Sequence, residues 1–299
     1  MADAEYKDLI RFGTVGTPMT TPAPGGTSNG IRHSKEIGFG HMEIAWTQSV
    51  RVTDQTCADI KATREKYGIS LSVHAPYFIN LNSQTDELMK KSDERLLNAA
   101  RKGFLAGAKD IVFHPGSYHS QDPTVVYQRA KTKLIELTGI LRAEGVDVFI
   151  RPETMGKIAM FGTLEECVHL SADVPGVLPA IDWAHLHARK GDGSFNSYEE
   201  FAAAMELIKR ELGDHGLKHM HSHMSGIEYS AKGERKHIPL NEADFKYRDL
   251  LSAFLDYGAE GTVGVEAPEP FHVADAMVLQ ATYRRLQGAG VDEEAETPD

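Results

Sequence analysis

The chain of 299 residues alternates eight times between a short apolar segment and a longer amphipathic one, and this pattern restricts its fold most. Short apolar runs are typical of buried parallel strands, and the longer segments have helical periodicity. Eight such units predict an α/β fold, a single-domain (β/α)8 TIM barrel, with a doubly wound open sheet as the main competitor. The predicted strands are 10–16, 41–46, 70–75, 110–115, 147–153, 178–183, 218–223 and 261–267.

The predicted helices are bounded by residue types that commonly cap helices. Thr, Ser and Asp are favoured at the N-cap, and glycine is favoured just after the last turn. Such N-caps are Thr53, Asp122, Thr163 and Ser197, and such glycines are Gly68, Gly145, Gly213 and Gly258. The Pro/Gly-rich segment 18–30 is predicted to be a long loop after the first strand. The predicted helices include 53–67, 86–107, 123–144, 163–172, 197–212, 241–257 and 273–287.

Composition and charge predict one globular domain, 1–290, followed by an acidic disordered tail, 291–299. Hydrophobic residues make up 41% of the chain and charged residues 25%, values typical of a globular protein with a large core. No apolar run reaches the roughly 20 residues that span a bilayer, and the acidic N-terminus is unlike a signal peptide. We therefore expect a cytoplasmic protein without a membrane partner. The net charge of −11 weakens a nucleic-acid hypothesis without excluding it.

Residue types that bind metal ions recur at the ends of the predicted strands or in the loops that follow them. Because the carboxyl ends of barrel strands converge on one face, we expect these side chains to meet there. Imidazoles and carboxylates are suitable zinc ligands, and buried acids without cations would repel one another. Any one of these histidines could be a hydrogen-bonded core residue, but their joint placement predicts a centre of several metal ions. The residues are His74, His114, Glu153, Asp182, His185, His221, His223, His237 and Glu266.

Other candidate residues carry weaker signals. Glu43, on the second predicted strand, fits a place in the barrel mouth or a structural ion pair equally well. The sequence has no GxSxG, Walker A or GxGxxG motif, so neither serine catalysis nor a nucleotide cofactor is expected. The remaining histidines are expected to be surface or packing residues, namely His33, His41, His119, His169, His187, His215, His219 and His272.

Several of these segments together resemble endonuclease IV, the apurinic/apyrimidinic endonuclease group (AP endonuclease family 2) of the xylose isomerase-like barrels. The resemblance covers nearly the whole chain, and its motifs are specific in combination rather than singly. It implies a zinc-dependent phosphodiesterase of DNA repair that hydrolyses the phosphodiester 5′ of abasic sites in duplex DNA. We expect the protein to act as a monomer. The motifs are HAPYFINL at 74–81, HPGS at 114–117, the segment around Glu153, the Asp182–His185 pair, HSHMS at 221–225 and VEAPEP at 265–270.

The resemblance implies two or three zinc ions, for which manganese or iron could substitute. The third ion would be held by His185 and His237. The family has an aspartate two residues before that last histidine, whereas this chain has Arg235 there. Glu234, one residue earlier, would replace the aspartate if the loop bends differently. The first two ions, bridged by Glu153, would be held by His74, His114, Glu153, Asp182, His221 and Glu266.

The same resemblance implies roles in catalysis and in DNA binding. Glu153 would position the ions, and Glu266 would orient the attacking water. The abasic nucleotide would be extruded from the duplex, which is inexpensive because it has lost its stacking and pairing. The expected substrate contacts are Tyr77 beside the extruded nucleotide, Arg51 entering the helix, His223 at a phosphate or as an extra ligand, and Arg235.

Two other functions are compatible with the sequence. A sugar isomerase or epimerase could use the same barrel, because fold does not determine function, and such enzymes generally use fewer metal ligands. A non-catalytic metal- or nucleic-acid-binding barrel could have lost its third ion through Arg235. The number of histidines and the HAPYFINL segment favour the nuclease.

Overall fold

Ten strands and nine helices make up the described part of the chain, residues 9–293, in this computed structural model; residues 289–293 are described by backbone only. The strands are β1 (Ile10–Val15), β2 (His41–Ala45), β3 (Ser70–His74), β4 (Asp110–Phe113), β5 (Phe149–Pro152), β6 (Ala180–Asp182), β7 (Met220–Met224), β8 (Gly226–Ser230), β9 (Gly233–Ile238) and β10 (Gly261–Val265). The helices are α1 (Thr27–Glu36), α2 (Asp54–Tyr67), α3 (Asp86–Leu105), α4 (Pro123–Ala143), α5 (Leu164–Asp173), α6 (Trp183–Arg189), α7 (Tyr198–Lys218), α8 (Tyr247–Asp256) and α9 (His272–Glu293).

Eight of the strands form a nearly closed parallel barrel. They are hydrogen-bonded in the order β5-β4-β3-β2-β1-β10-β7-β6, so β10 returns to lie beside β1. The two ends of this order, β5 and β6, are joined by the parallel bridges Ile150–Val177 and Glu153–Ala180. The predicted single-domain (β/α)8 barrel is confirmed, and the doubly wound open sheet is excluded.

The helix starts follow the signals in the sequence. Thr53, Asp122, Thr163 and Ser197 each accept a hydrogen bond from a backbone N–H in the first turn of the helix that follows. Two large apolar clusters hold the barrel and its helices together. The N-caps therefore fix where each helix starts, and apolar packing fixes its orientation on the barrel.

Several predicted boundaries are wrong, and the helix predicted at 197–212 continues to Lys218 across a non-helical Gly213. Two further differences lie in the segments 18–30 and 241–257. The segment 18–30 is not loop throughout, because α1 begins at Thr27. The helix expected at 241–257 begins only at Tyr247, since Leu240–Glu242 form a short 3-10 helix that is followed by extended backbone at Ala243. Both segments contain polar and small residues whose local preferences permit either conformation, so tertiary packing decides between them.

The region after β7 contains an element that the sequence did not predict, an antiparallel hairpin of β8 and β9. The short helix α6, directly after β6, was also not predicted. The final helix, α9, continues to Glu293, and residues 294–299 of the expected acidic tail lie outside the described residues. Within residues 9–293, no helix combines the length and apolar character needed to cross a membrane.

The interior of the barrel is polar, whereas branched apolar side chains usually fill it. Glu43 on β2 lies 3.0 Å from His221 on β7, although these strands are not neighbours, so the two side chains meet across the interior. Ser72 on β3 and Thr262 on β10 join them, and all four residues are buried. The apolar core therefore lies mainly outside the barrel, between the strands and the helices.

Candidate metal centre

The carboxyl ends of the barrel strands, together with α6 and the β8–β9 hairpin, bring eight acidic and imidazole side chains into one cluster, which we call the donor cluster. It consists of three overlapping groups, and within each group the potential ligand atoms lie within 4.8 Å of one another. Eight of the nine residues expected at the barrel mouth belong to it, and His221 is the exception. The members of the donor cluster are His74, His114, Glu153, Asp182, His185, His223, His237 and Glu266.

The first group consists of His74, His114 and Glu153. The Nε2 atoms of His74 and His114 lie 3.2 and 3.1 Å from Oε2 of Glu153. Nδ1 of His74 lies 2.9 Å from the carbonyl oxygen of Ala75, which can only accept, so Nδ1 carries the proton. In a neutral imidazole, Nε2 then presents a lone pair to the carboxylate oxygen. Two acceptors facing each other require a proton or a cation between them, so this group fits a metal ion.

The second group consists of Glu153, Asp182, His223 and Glu266. Nδ1 of His223 lies 3.1 Å from Oε1 of Glu153 and 3.6 Å from Oε1 of Glu266. The two oxygens of the Glu153 carboxylate thus face different groups. Asp182 is the N-cap of α6, and its Oδ1 accepts a hydrogen bond from the backbone N–H of His185 at 2.6 Å. Its buried Oδ2 has no hydrogen-bond partner among the described residues, as expected of an atom that awaits a cation.

The third group consists of Asp182, His185, His237 and Glu266. Nε2 of His237 lies 3.4 Å from Oε2 of Glu266, and the rings of His185 and His237 are 5.2 Å apart. Nδ1 of His185 contacts the carbonyl oxygen of Thr154 at 2.9 Å and lies 3.7 Å from Oδ2 of Asp182.

Glu234 lies beside the third group because the hairpin contains a β-bulge. Glu228 pairs with Lys236, but Tyr229 pairs with Glu234, so Arg235 is the extra residue on β9. The bulge turns Glu234 toward His185, where its Oε2 lies 3.6 Å from Nε2.

Gly156 and Arg235 explain how Glu234 comes to lie next to His185. A Cβ atom on Gly156 would lie 2.7 Å from Cβ of Glu234, so only glycine allows the hairpin to approach this closely. Arg235 points away from the cluster, is 63% exposed and pairs with Glu228 at 2.8 Å. The hairpin thus places Glu234 beside His185, and its expected replacement of the family aspartate as a ligand stays a prediction.

His221, which the resemblance assigned to the ligands of the first two ions, lies one layer deeper in the barrel. Residues two apart on a strand face the same side, so His221 and His223 both point inward from β7. His223 is nearer the carboxyl end and reaches the donor cluster, whereas His221 contacts Glu43 and the hydroxyl of Thr262. The assignment therefore moves to His223. Position within the strand is the signal that could have distinguished them.

The expected DNA-contacting residues occupy different surroundings. The ring of Tyr77 stacks on His114, with centroids 4.8 Å apart and planes 18° apart, and it is 46% exposed. Phe78, next to it, is 58% exposed. Arg51 lies in the exposed loop between β2 and α2. Tyr77 thus borders the donor cluster and faces solvent, while Arg51 is on the surface.

The electrostatics of the donor cluster show how strongly its acids depend on nearby positive charge. Burial alone would raise the pKa of Glu153, but the imidazoles of His114, His223 and His74 hold that pKa well below its usual range. Burial raises the pKa of Asp182, and the carboxylates of Glu266 and Glu153 raise it further. Several buried carboxylates in one pocket therefore favour cations, and the mixed donor set suits zinc or a similar divalent ion.

Comparisons with known proteins agree with this architecture. An uncharacterized protein of Methanocaldococcus jannaschii is 36% identical over 278 residues, which cover 93% of this chain and 98% of that relative. A probable endonuclease 4 of Shouchella clausii is 30% identical over 201 residues, which cover 62% of this chain and 65% of that relative.

Two solved structures have the same fold at low sequence identity. Endonuclease IV from Thermus thermophilus superimposes with a TM-score of 0.71 and 20% identity, over 92% of this chain and 99% of its own. A D-tagatose 3-epimerase-like protein superimposes with a TM-score of 0.71 and 18% identity, over 96% and 100%. The sequence profile of one family matches residues 31–282. The chain therefore belongs to the xylose isomerase-like TIM barrel family.

Proposed function

We propose that this chain is a metal-dependent hydrolase that cuts the phosphodiester 5′ of abasic sites in duplex DNA, with zinc as its metal. The observation that carries the proposal is the division of the Glu153 carboxylate between two donor groups. Its Oε2 faces His74 and His114, while its Oε1 faces His223. A carboxylate placed in this way can bridge two ions, which is the arrangement that in-line phosphoryl hydrolysis uses.

The donor groups divide the residues among the ions. The first group would hold one ion, and the second group, sharing Glu153, would hold another. The third ion would be held by His185 and His237, with Glu234 as the added carboxylate. When bound, such ions lower the pKa of a water molecule and stabilise negative charge on the phosphate oxygens.

The side chains of the chain itself would position the reactants. Oε1 and Oε2 of Glu266 face His223 and His237, so this carboxylate spans the second and third groups. We assign to Glu266 the orientation of the attacking water. The half-exposed ring of Tyr77, stacked on His114, provides an apolar surface for the sugar of an extruded abasic nucleotide.

The relatives named endonuclease 4 support the same reading, although their identity to this chain is about 30%. Cytoplasmic location, a monomeric state and the contribution of Arg51 to DNA binding stay predictions. Arg235 pairs with Glu228 but is 63% exposed, and we propose that it contacts a phosphate from the rim of the hairpin.

A metal-dependent sugar epimerase is the second candidate, because one observation favours it. The second group alone offers three carboxylates and one imidazole within 4.8 Å, which suffices for a single divalent ion. Solved structures with this fold include a D-tagatose 3-epimerase-like protein. The first and third groups have no evident use in a single-ion enzyme, and they favour the hydrolase.

The test is a nicking assay on a synthetic duplex with one abasic analogue, using protein whose metal content has been measured. We expect a single nick 5′ of the abasic position, loss of nicking on chelation, recovery on adding zinc, and an intact duplex when the base is present. The same preparation is assayed for epimerisation of ketohexoses. Sugar turnover with one ion per chain and an uncut abasic duplex would establish the epimerase instead. Tight binding of the duplex without nicking would indicate a non-catalytic barrel.

A further inference from the structure

A second set of polar side chains lies directly beneath the donor cluster, inside the barrel. Glu43, Ser72, His221 and Thr262 come from β2, β3, β7 and β10, and we call them the Glu43 network. All four are buried, with Glu43 and Ser72 fully inaccessible to solvent. Since a buried carboxylate is costly unless it is hydrogen-bonded, the contacts of Glu43 require an explanation.

The Glu43 carboxylate links the network to the donor cluster. Its Oε2 accepts a hydrogen bond from the hydroxyl of Ser72 and lies 3.0 Å from Nε2 of His221. Its Oε1 lies 3.0 Å from Nε2 of His223. The last pair is not well aligned for a hydrogen bond, yet both atoms are buried and neither has another partner among the described residues. Each is thus the natural partner of the other.

One placement of the protons satisfies these contacts. If Nδ1 of His223 presents its lone pair to the second group, Nε2 carries the proton and faces the Glu43 carboxylate. Because that carboxylate only accepts, His221 also carries its proton on Nε2. Nδ1 of His221 then accepts from the hydroxyl of Thr262, 2.7 Å away. In this placement each donor that faces Glu43 points a proton at the carboxylate, and its negative charge is met without a cation.

We propose that Glu43 is a positioning residue: it holds the Nε2–H of His223 so that the Nδ1 lone pair points at Glu153 and Glu266. The inference rests on the metal centre of the proposed function. Metal-binding histidines generally donate their second N–H to a carboxylate or carbonyl oxygen, which fixes the ring and its tautomer. Backbone carbonyl oxygens serve His74 and His185 in this way, and the Glu43 carboxylate lies 3.0 Å from Nε2 of His223, where it would do the same.

A different role for the same residues is an additional metal site. Ligand atoms of His41, Glu43 and His221 lie within 4.8 Å of one another. The proton placement disfavours this role, because the Nε2 atoms of both histidines serve as donors. Nε2 of His41 lies 3.2 Å from the Ser72 hydroxyl, whose proton goes to Glu43. His41→Gln separates the two roles, since it removes a ligand of the additional site and leaves the contacts of Glu43 intact.

The experiment measures binding of Co²⁺ and Zn²⁺ to the full chain by competition with a chelator, together with the Co²⁺ absorption spectrum. For folded Glu43→Gln we expect about tenfold weaker binding of one ion, and for Glu43→Met about 100-fold, with altered Co²⁺ bands. His41→Gln should retain the wild-type number of ions. Thermal unfolding of the metal-free proteins checks that each variant is folded.

The outcomes separate this inference from the proposed function. Unchanged affinity and spectrum in folded Glu43→Gln or Glu43→Met would overturn the positioning role. Loss of one ion in His41→Gln would overturn it in favour of an additional metal site. Weakened binding in the Glu43 variants of a chain that never nicks abasic DNA would support the positioning role and reject the nuclease. A wild-type chain that binds neither metal would overturn both.

Discussion

Glu234 and His237 face the same side of β9 although three positions separate them, because Arg235 is the extra residue of a β-bulge. In a regular strand only residues an even number of positions apart share a face. The bulge removes one residue from the alternation, and Glu234 reaches His185 while Arg235 turns to solvent. The bulge therefore places a carboxylate beside His185, where we propose that Glu234 takes the part of the missing aspartate.

This relationship predicts opposite results for two neighbouring residues. Glu234→Ala should remove one ion and lower nicking at least about 100-fold, because it removes the carboxylate that we propose as an added ligand beside the third group. Arg235→Ala, the matched control, should retain every ion because that side chain is exposed. The measurement is the metal content of dialysed protein, followed by nicking rates. Equal metal content in both variants would show that Glu234 is not a ligand.

The two histidines of β7 provide a second test. His223→Asn should lose at least one ion, since Nδ1 of His223 faces Glu153 and Glu266. His221→Asn should keep the wild-type number of ions at saturating zinc, because His221 contacts Glu43 and Thr262 rather than the donor cluster. Metal titration of the two variants checks this. The reverse pattern would restore the assignment that the resemblance suggested.

Asp182 combines a helix cap with a potential metal ligand, and Asp182→Asn should separate these roles. Asparagine caps helices as well as aspartate does, so Oδ1 can still accept from the N–H of His185. The amide nitrogen that replaces Oδ2 cannot bind a cation. We expect metal affinity to fall by at least about 100-fold, while the unfolding free energy of the metal-free protein changes by less than about 1 kcal/mol. Wild-type metal affinity in this variant would remove Asp182 from the centre.

Glu200, in the first turn of α7, should make a pH-dependent contribution to the stability of the folded protein. The Glu200 carboxylate accepts hydrogen bonds from the backbone N–H groups of Phe195 and Asn196 at 2.8 and 2.7 Å. Partial burial opposes ionisation, but these bonds and the Ser197 hydroxyl hold the pKa of Glu200 below its ordinary 4.5. A lowered pKa stabilises the folded state above that ordinary value, and the stabilisation is lost as the pH falls through the folded-state pKa.

Glu200→Gln should therefore lower the unfolding free energy of the metal-free protein by about 1 kcal/mol at pH 7, and by progressively less below pH 4.5. Urea unfolding at several pH values measures the difference between the variant and the wild type. A difference that stays constant from pH 7 to below pH 4 would contradict the role assigned to the charge.

Much of the fold follows from local signals in the sequence. The apolar runs locate the barrel strands, and Thr163 and Ser197 start helices where their residue types predict. The hairpin of β8 and β9 escaped prediction because it is short, largely polar on its exposed face, and interrupted by the bulge at Arg235. Alternation, the usual signal of a strand, fails at a bulge.

The sequence predicts which residues form the site, but it predicts few of the contacts between them. Strand ends identify the histidines and acids of the mouth, because a parallel barrel brings those ends together. Strand position separates His223 from His221, but the role of Glu43 depends on a contact across the barrel between strands that are distant in the chain. The sequence alone contains no local signal for such a contact.

The ratio of metal to protein in wild-type chain and in Glu153→Gln tests the central claim most directly. Because the two oxygens of Glu153 face separate groups, the wild type should bind between about two and three ions per chain. Glu153→Gln should bind at least one fewer and should not nick abasic DNA. A wild-type chain that binds one ion would contradict the claim that the Glu153 carboxylate is shared by two ions. A Glu153→Gln variant with the full number of ions and normal nicking would contradict it as well.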